Sequence, residues 1–161
     1  MTPTPEPVQD RDAALARPWV HLTPLSVRFG ELDPYSHVNH AVYVAWCEAG
    51  RSEALSDAGV SLESMATRGV QIVVTDLHVR YKRSAVAGDR VVVETWISEL
   101  GGVRSTWTQR VVRNSADGGE PEVLIELEVR AGSTDANGRP LRFPPEIRAA
   151  LQVYIPTEQV S

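Results

Sequence analysis

Apolar positions in this chain change period along its length. Leu25, Val27 and Phe29 alternate with Ser26 and Arg28, which predicts a strand over Trp19–Phe29. A polar stretch, GELDPYSHVN, interrupts the alternation. A helix is then predicted from Ala41 to Asp57, with Asn39 as N-cap and Gly59 as stop. Its first two turns carry Val42, Tyr43, Val44, Ala45, Trp46, Cys47 and Ala49, which places apolar groups on every side. A helix apolar all round is expected to be buried. Beyond Glu48 it turns amphipathic, with Arg51, Ser52, Glu53 and Asp57 toward water.

Four strand-like runs follow. Val70–Arg83 ends with Leu77, Val79 and Tyr81 alternating against His78, Arg80 and Lys82. Arg90–Ser98 follows a Gly88-Asp89 turn, and Val103–Arg113 follows Gly101-Gly102. Glu122–Ala131 follows Asp117-Gly118-Gly119 and puts Val123, Ile125, Leu127 and Val129 on one face. Short glycine turns between successive strands predict hairpins and a largely antiparallel sheet. Pro144-Pro145-Glu146 opens a terminal helix through Leu151. One strand, one buried helix and four more strands form an α+β domain, because only a strongly curved sheet can wrap a helix on all sides.

The chain has 161 residues, which fits one domain over 19–155. Residues 1–18, rich in proline and polar side chains, and residues 156–161 read as tails. The net charge of −5 argues against a nucleic-acid partner. A single cysteine, Cys47, excludes an intrachain disulfide and fits a reducing, cytoplasmic setting. No apolar run approaches the roughly 18 residues a membrane span needs, and no secretory signal pattern opens the chain.

The segment Arg28-Phe29-Gly30-Glu31-Leu32-Asp33-Pro34-Tyr35-Ser36-His37-Val38-Asn39-His40-Ala41-Val42-Tyr43 resembles the signature of hot-dog acyl-CoA thioesterases, above all the 4-hydroxybenzoyl-CoA thioesterase class. His37-Val38-Asn39-His40 is similar to the H-V-N-N element of the wider family. Tyr81-Lys82-Arg83-Ser84 before Gly88-Asp89, Gly101 to Ser105, and Gly138-Arg139-Pro140 with Pro145-Glu146-Ile147 resemble its later signatures. The likeness spans about residues 20–151. It departs at Ser36, where the family commonly has glycine, and at His40, where it has a second asparagine.

The resemblance implies a hot-dog fold and hydrolysis of an acyl-CoA, or of the same thioester on an acyl carrier protein, to a free acid and thiol. It implies a homodimer or homotetramer and no cofactor or metal. Asp33 is the candidate base or nucleophile; on local grounds alone Asp33-Pro34 is also an ordinary turn pair. The amides of Val38, Asn39 and His40, at a helix N-terminus, are the candidate oxyanion site. His37 and His40 complete a D-x-x-x-H-x-x-H spacing with metal-ligand residue types, but orienting or capping roles are preferred. Tyr43, Trp46 and Val70 are candidate pocket walls, and Lys82, Arg83 and Arg104 candidate phosphate contacts. Glu48 is read as an ion-pair partner of Arg51, and Cys47 as a core residue. The rivals are a hydratase or dehydratase on the same fold and a non-catalytic acyl-CoA-binding protein. The first lacks the expected Asn-Pro after the aspartate, and the second lacks an appended domain.

Overall fold

The computed structural model describes residues 17–157. The expected tails, 1–18 and 156–161, fall almost wholly outside the described residues.

Five strands form one antiparallel sheet in the order β1-β3-β4-β5-β2. They are β1 (His21–Ser26), β2 (Gln71–Tyr81), β3 (Arg90–Leu100), β4 (Arg104–Arg113) and β5 (Glu122–Thr134). The central helix α1 (His40–Asp57) packs chiefly on β3, β1 and β4. A short helix α2 (Leu62–Thr67) follows it, and α3 (Pro145–Leu151) runs into a closing 3-10 turn, Gln152–Tyr154. This is the hot-dog arrangement, a helix laid along a curved antiparallel sheet.

Both ends of α1 follow from local chemistry. The Asn39 side chain accepts from the Ala41 amide, and Gly59 adopts a positive φ of 81° just beyond the last turn. Close approach to the sheet is set by Gly50: a Cβ there would meet Val93 Cγ1 at 2.9 Å and Thr95 Oγ1 at 3.1 Å. Beside it, fully buried Gln109 donates to the Cys47 carbonyl at 2.8 Å and to Thr95 Oγ1 at 2.9 Å. Helix and sheet are thus joined by a satisfied polar contact inside an apolar core.

Three expectations are corrected. First, α1 is not enclosed all round. It buries Tyr43, Trp46, Cys47, Gly50, Ala54 and Leu55, while Ala41, Ala45 and Ala49 are exposed, because one sheet covers one side. Second, the alternation of Leu77, Val79 and Tyr81 does not give a buried face: Val79 packs on the core, but Leu77 and Tyr81 stay exposed. β2 is an edge strand beyond the helix, with Val73, Val74, Leu77 and Tyr81 between 45% and 52% exposed. Third, a bulge shifts the β5 register so that Val111 opposes Ile125 and Val112 opposes Val123. Leu124, the extra residue, is fully buried beside Ile125, and Val123 leaves the core face. The Leu124 carbonyl accepts from the amides of Lys82 at 2.8 Å and Arg83 at 3.0 Å, so the bulge anchors the end of β2. Helix α2, six residues capped by Ser61, was not predicted.

Candidate active site

The loop before α1 is braced as a miniature hairpin. Leu32 and Val38 form an antiparallel bridge, and the Asp33 amide donates to the His37 carbonyl at 2.7 Å. Asp33 Oδ1 accepts from the amides of Tyr35 at 2.8 Å and His37 at 3.2 Å. Its Oδ2 has no hydrogen-bond partner among the described residues. The turn role and a reactive role are therefore compatible: one oxygen holds the loop and the other is free. Ser36, at the tip, takes a positive φ of 62°, the backbone state for which glycine is suited.

At the start of α1 the backbone donors are mostly spent. The Val38 amide donates to the Ala85 carbonyl at 2.9 Å, and the Asn39 amide to the Glu31 carbonyl at 2.9 Å. Asn39 itself takes up the Ala41 amide through Oδ1 at 2.9 Å and the Val42 amide through its carbonyl at 3.0 Å. Of the three amides expected to polarise a carbonyl, only that of His40 has no partner among the described residues.

These groups line one cleft of about 640 Å³, counting its open mouth, with Asp33, His37, Val38, His40 and Tyr43 on one side and Tyr81, Lys82, Arg83 and Ser84 on the other. Tyr43 is buried, and its Oη accepts from the Ala85 amide at 2.9 Å. Burial pushes its phenol above the ordinary range. Trp46 stands behind Tyr43, edge to face at 5.3 Å, and its indole donates to Glu31 Oε1 at 3.1 Å. It braces the wall without lining the cleft. Tyr81, not singled out from sequence, packs on Tyr43 at 5.8 Å and donates to the His40 carbonyl at 2.8 Å. Its place at the strand end just before Lys82 and Arg83 was the available signal.

The thioesterase-like superfamily profile matches residues 27–151, which include the braced loop, α1 and the whole cleft. The chain belongs to the thioesterase-like superfamily. It is 30% identical over 122 residues to the acyl-CoA thioester hydrolase YbgC of Escherichia coli, covering 76% of this chain and 84% of YbgC. It is 34% identical over 83 residues to the Bacillus subtilis protein YneP, covering 52% of this chain but only 60% of YneP. The crystal structure of the Thermus thermophilus protein TT1821 superposes with a TM-score of 0.75 at 30% identity, covering 83% of this chain and 98% of that one.

Within this thioesterase-like chain the remaining candidates are dispersed. Lys82 pairs with Glu126 at 2.9 Å, and Arg83 with Glu122 at 3.4 Å, both at the cleft. Arg104 opposes Gly132 of β5, whereas Tyr81 opposes Ile125, so about 23 Å of strand separates Arg104 from the cleft within one chain. Val70, buried under α2, also lies at that far end; its amide donates to the Met65 carbonyl at 2.9 Å. Glu48 and Arg51 do not form the expected ion pair. Arg51 turns inward instead and donates to Gln109 Oε1 at 2.6 Å. Cys47 is fully buried, its thiol pushed up to about 12 by burial. Among the described residues no three His, Cys, Asp or Glu side chains gather as a metal-ligand group, so Asp33, His37 and His40 share a cleft without converging. No described helix is long and apolar enough to cross a membrane.

Proposed function

We propose that this chain hydrolyses the thioester of an acyl-CoA, giving a carboxylic acid and free CoA. One observation carries the reading: the free Oδ2 of Asp33 and the unpartnered amide of His40 belong to the same cleft at the start of α1. Four matching signatures and kinship with YbgC support the same reaction class.

A carbonyl oxygen set against the His40 amide meets an N–H donor and the positive end of the α1 dipole. Negative charge that develops on that oxygen is stabilised there more than the neutral carbonyl is. Asp33 Oδ2 then removes a proton from a water that attacks the carbonyl carbon. The C–S bond breaks as the tetrahedral intermediate collapses, and the proton passes to the departing sulfur. Direct attack by Asp33, through an anhydride that water opens, uses the same two groups. Lys82 and Arg83 serve the CoA phosphates. Their exposed pairs with Glu126 and Glu122 are each worth at most about 1 kcal/mol, so exchange for phosphate costs little. An acyl carrier protein presents the same kind of thioester and is the second candidate donor.

The active form is a homodimer or homotetramer in the cytoplasm. The free edge of β2, its exposed Val73, Val74, Leu77 and Tyr81, and the Ala41, Ala45 and Ala49 face of α1 are the surfaces a second copy covers. Antiparallel pairing of two β2 edges puts the Tyr81 end of one beside the Gln71 end of the other. Arg104 is then brought toward the partner's cleft, whereas Val70, buried under α2, stays within its own core.

The test is thiol release from a panel of acyl-CoAs. Asp33→Asn is expected to lose about 10²-fold or more in kcat. Wild-type rates in that variant, or no thiol release from any substrate, would overturn the reading.

A further inference from the structure

A second cavity lies three turns along α1 from the cleft and shares no lining residue with it. It holds about 650 Å³ of empty space, counting its mouth, between the second half of α1 and the sheet. Leu55, Met65, Trp107, Val129 and Leu151 give it an apolar wall, and Ile72 and Val74 of the β2 edge frame one side. Two charged side chains enter it, Glu48 and Arg51.

Arg51 is unusual in that setting. It is partly buried, and loss of water lowers its pKa from the ordinary arginine value. Its single hydrogen bond goes to Gln109 Oε1 at 2.6 Å, and it has no carboxylate within 4.0 Å among the described residues. A guanidinium carries five N–H donors. Gln109 is itself fixed by Cys47 and Thr95, so the guanidinium is held in place with most of its donors unspent. Its free N–H groups open onto the cavity, where an oxygen of a bound chain can accept from them. Glu48, one turn earlier on the helix, disfavours a second carboxylate at the same mouth. A neutral oxygen meets neither objection.

We propose that this cavity receives the acyl chain and that Arg51 selects chains bearing a neutral oxygen, a hydroxyl or keto group, over unsubstituted ones. The inference rests on the thioesterase reading and on the β2 pairing above, which sets the Ile72–Val74 end of one subunit beside the Asp33 cleft of the other. The chain of a thioester bound in one cleft thereby enters the neighbouring subunit's cavity. Arg51 is a specificity residue that touches the substrate tail and takes no part in bond cleavage.

The experiment compares kcat/KM for medium-chain acyl-CoAs of equal length: unsubstituted, hydroxylated at C3, mid-chain or the terminus, oxidised to the corresponding ketones, and ω-carboxylated. At least one hydroxy- or keto-acyl-CoA is expected to exceed the unsubstituted one about tenfold, and the ω-carboxylate to lag behind. In Arg51→Met the ratio falls to near one, and in Arg51→Lys it is intermediate. Each ratio is taken within one preparation, so partial unfolding of a variant cancels. The same ratio in wild type and Arg51→Met, or a wild-type preference for the unsubstituted or ω-carboxylated chain, overturns the inference. Binding of the matching non-cleavable thioethers gives the same ratio in a protein that releases no thiol, which separates failure of this inference from failure of the hydrolase reading.

Discussion

The hydroxyl of Tyr81 donates to the backbone carbonyl of His40 at 2.8 Å, tying the exposed edge strand to the first turn of the central helix. His40 also carries, among the described residues, the one unpartnered amide of the candidate oxyanion donors, so the bond fixes the peptide next to the one that matters most to the proposed chemistry. Tyr81 is a positioning residue. Tyr81→Phe keeps the ring packed on Tyr43 and removes only the donor. A net hydrogen bond of this kind is worth about 0.5–1.5 kcal/mol, which corresponds to roughly a 2- to 10-fold fall in kcat with KM little changed. Steady-state kinetics with one acyl-CoA checks this, and a variant with raised KM and unaltered kcat would assign Tyr81 to substrate binding instead.

Gly50→Ala tests how tightly helix and sheet are apposed. Alanine is better than glycine inside a helix by about 1 kcal/mol, so propensity alone forecasts stabilisation. The new methyl, however, meets Val93 Cγ1 at 2.9 Å, Thr95 Oγ1 at 3.1 Å and Gln109 Nε2 at 3.3 Å. None of these is the loose end of a flexible chain, and overpacking of this kind costs about 1–3 kcal/mol. The expected result is a lower melting temperature. Gly132→Ala, where a Cβ meets nothing within 4 Å, is the control and is expected to melt at or above wild type.

What could be read from sequence divides along the range of the interactions involved. Asn39 and Gly59 mark the ends of α1 because capping is decided within three or four residues, and the structure places both as expected. Asp33 stood out for the same reason, as part of a local turn before an apolar helix. The state of the Val38 and Asn39 amides was hidden, because their partners are the carbonyls of Ala85 and Glu31, one of them far along the chain. The β5 bulge at Leu124 breaks the two-residue period only relative to β4, which no single strand reveals. Arg51 looked like a surface partner for Glu48 at helical spacing, but buried Gln109, from β4, draws it inward. The all-round apolar character of α1 was real, yet one sheet covers only one side, and the alanine face stays exposed.

Cys47 is expected to behave as a core residue toward thiol reagents. The thiolate is the reacting form, and a thiol held near 12 by burial is ionised at pH 8 in only about one molecule in ten thousand. Zero exposure blocks access as well. A disulfide reagent at pH 8 is expected to leave the native protein unlabelled over hours and to titrate one thiol per chain in denaturant. Rapid labelling of the native protein would mean that α1 opens locally on that timescale.

Ser36 holds a backbone state at the loop tip for which glycine is suited. Its φ of 62° lies in the left-handed region, which costs a residue with a Cβ about 1–2 kcal/mol and glycine almost nothing. Glycine also gives the unfolded chain more freedom, at a cost of about 0.4–1 kcal/mol, so the two effects partly cancel. Ser36→Gly is therefore expected to be neutral or to stabilise by up to about 1 kcal/mol. Ser36→Val is expected to destabilise, because a β-branched residue is a poor occupant of that region. The Ser36 amide donates to the Asp33 carbonyl at 3.0 Å, so strain at the tip is transmitted to the residue that carries the free carboxylate oxygen. Activity should follow the order Gly at or above Ser, then Val, when kcat and melting temperature are measured on the three proteins. A Val variant with wild-type stability and kcat would show that the loop relaxes around position 36 without moving Asp33.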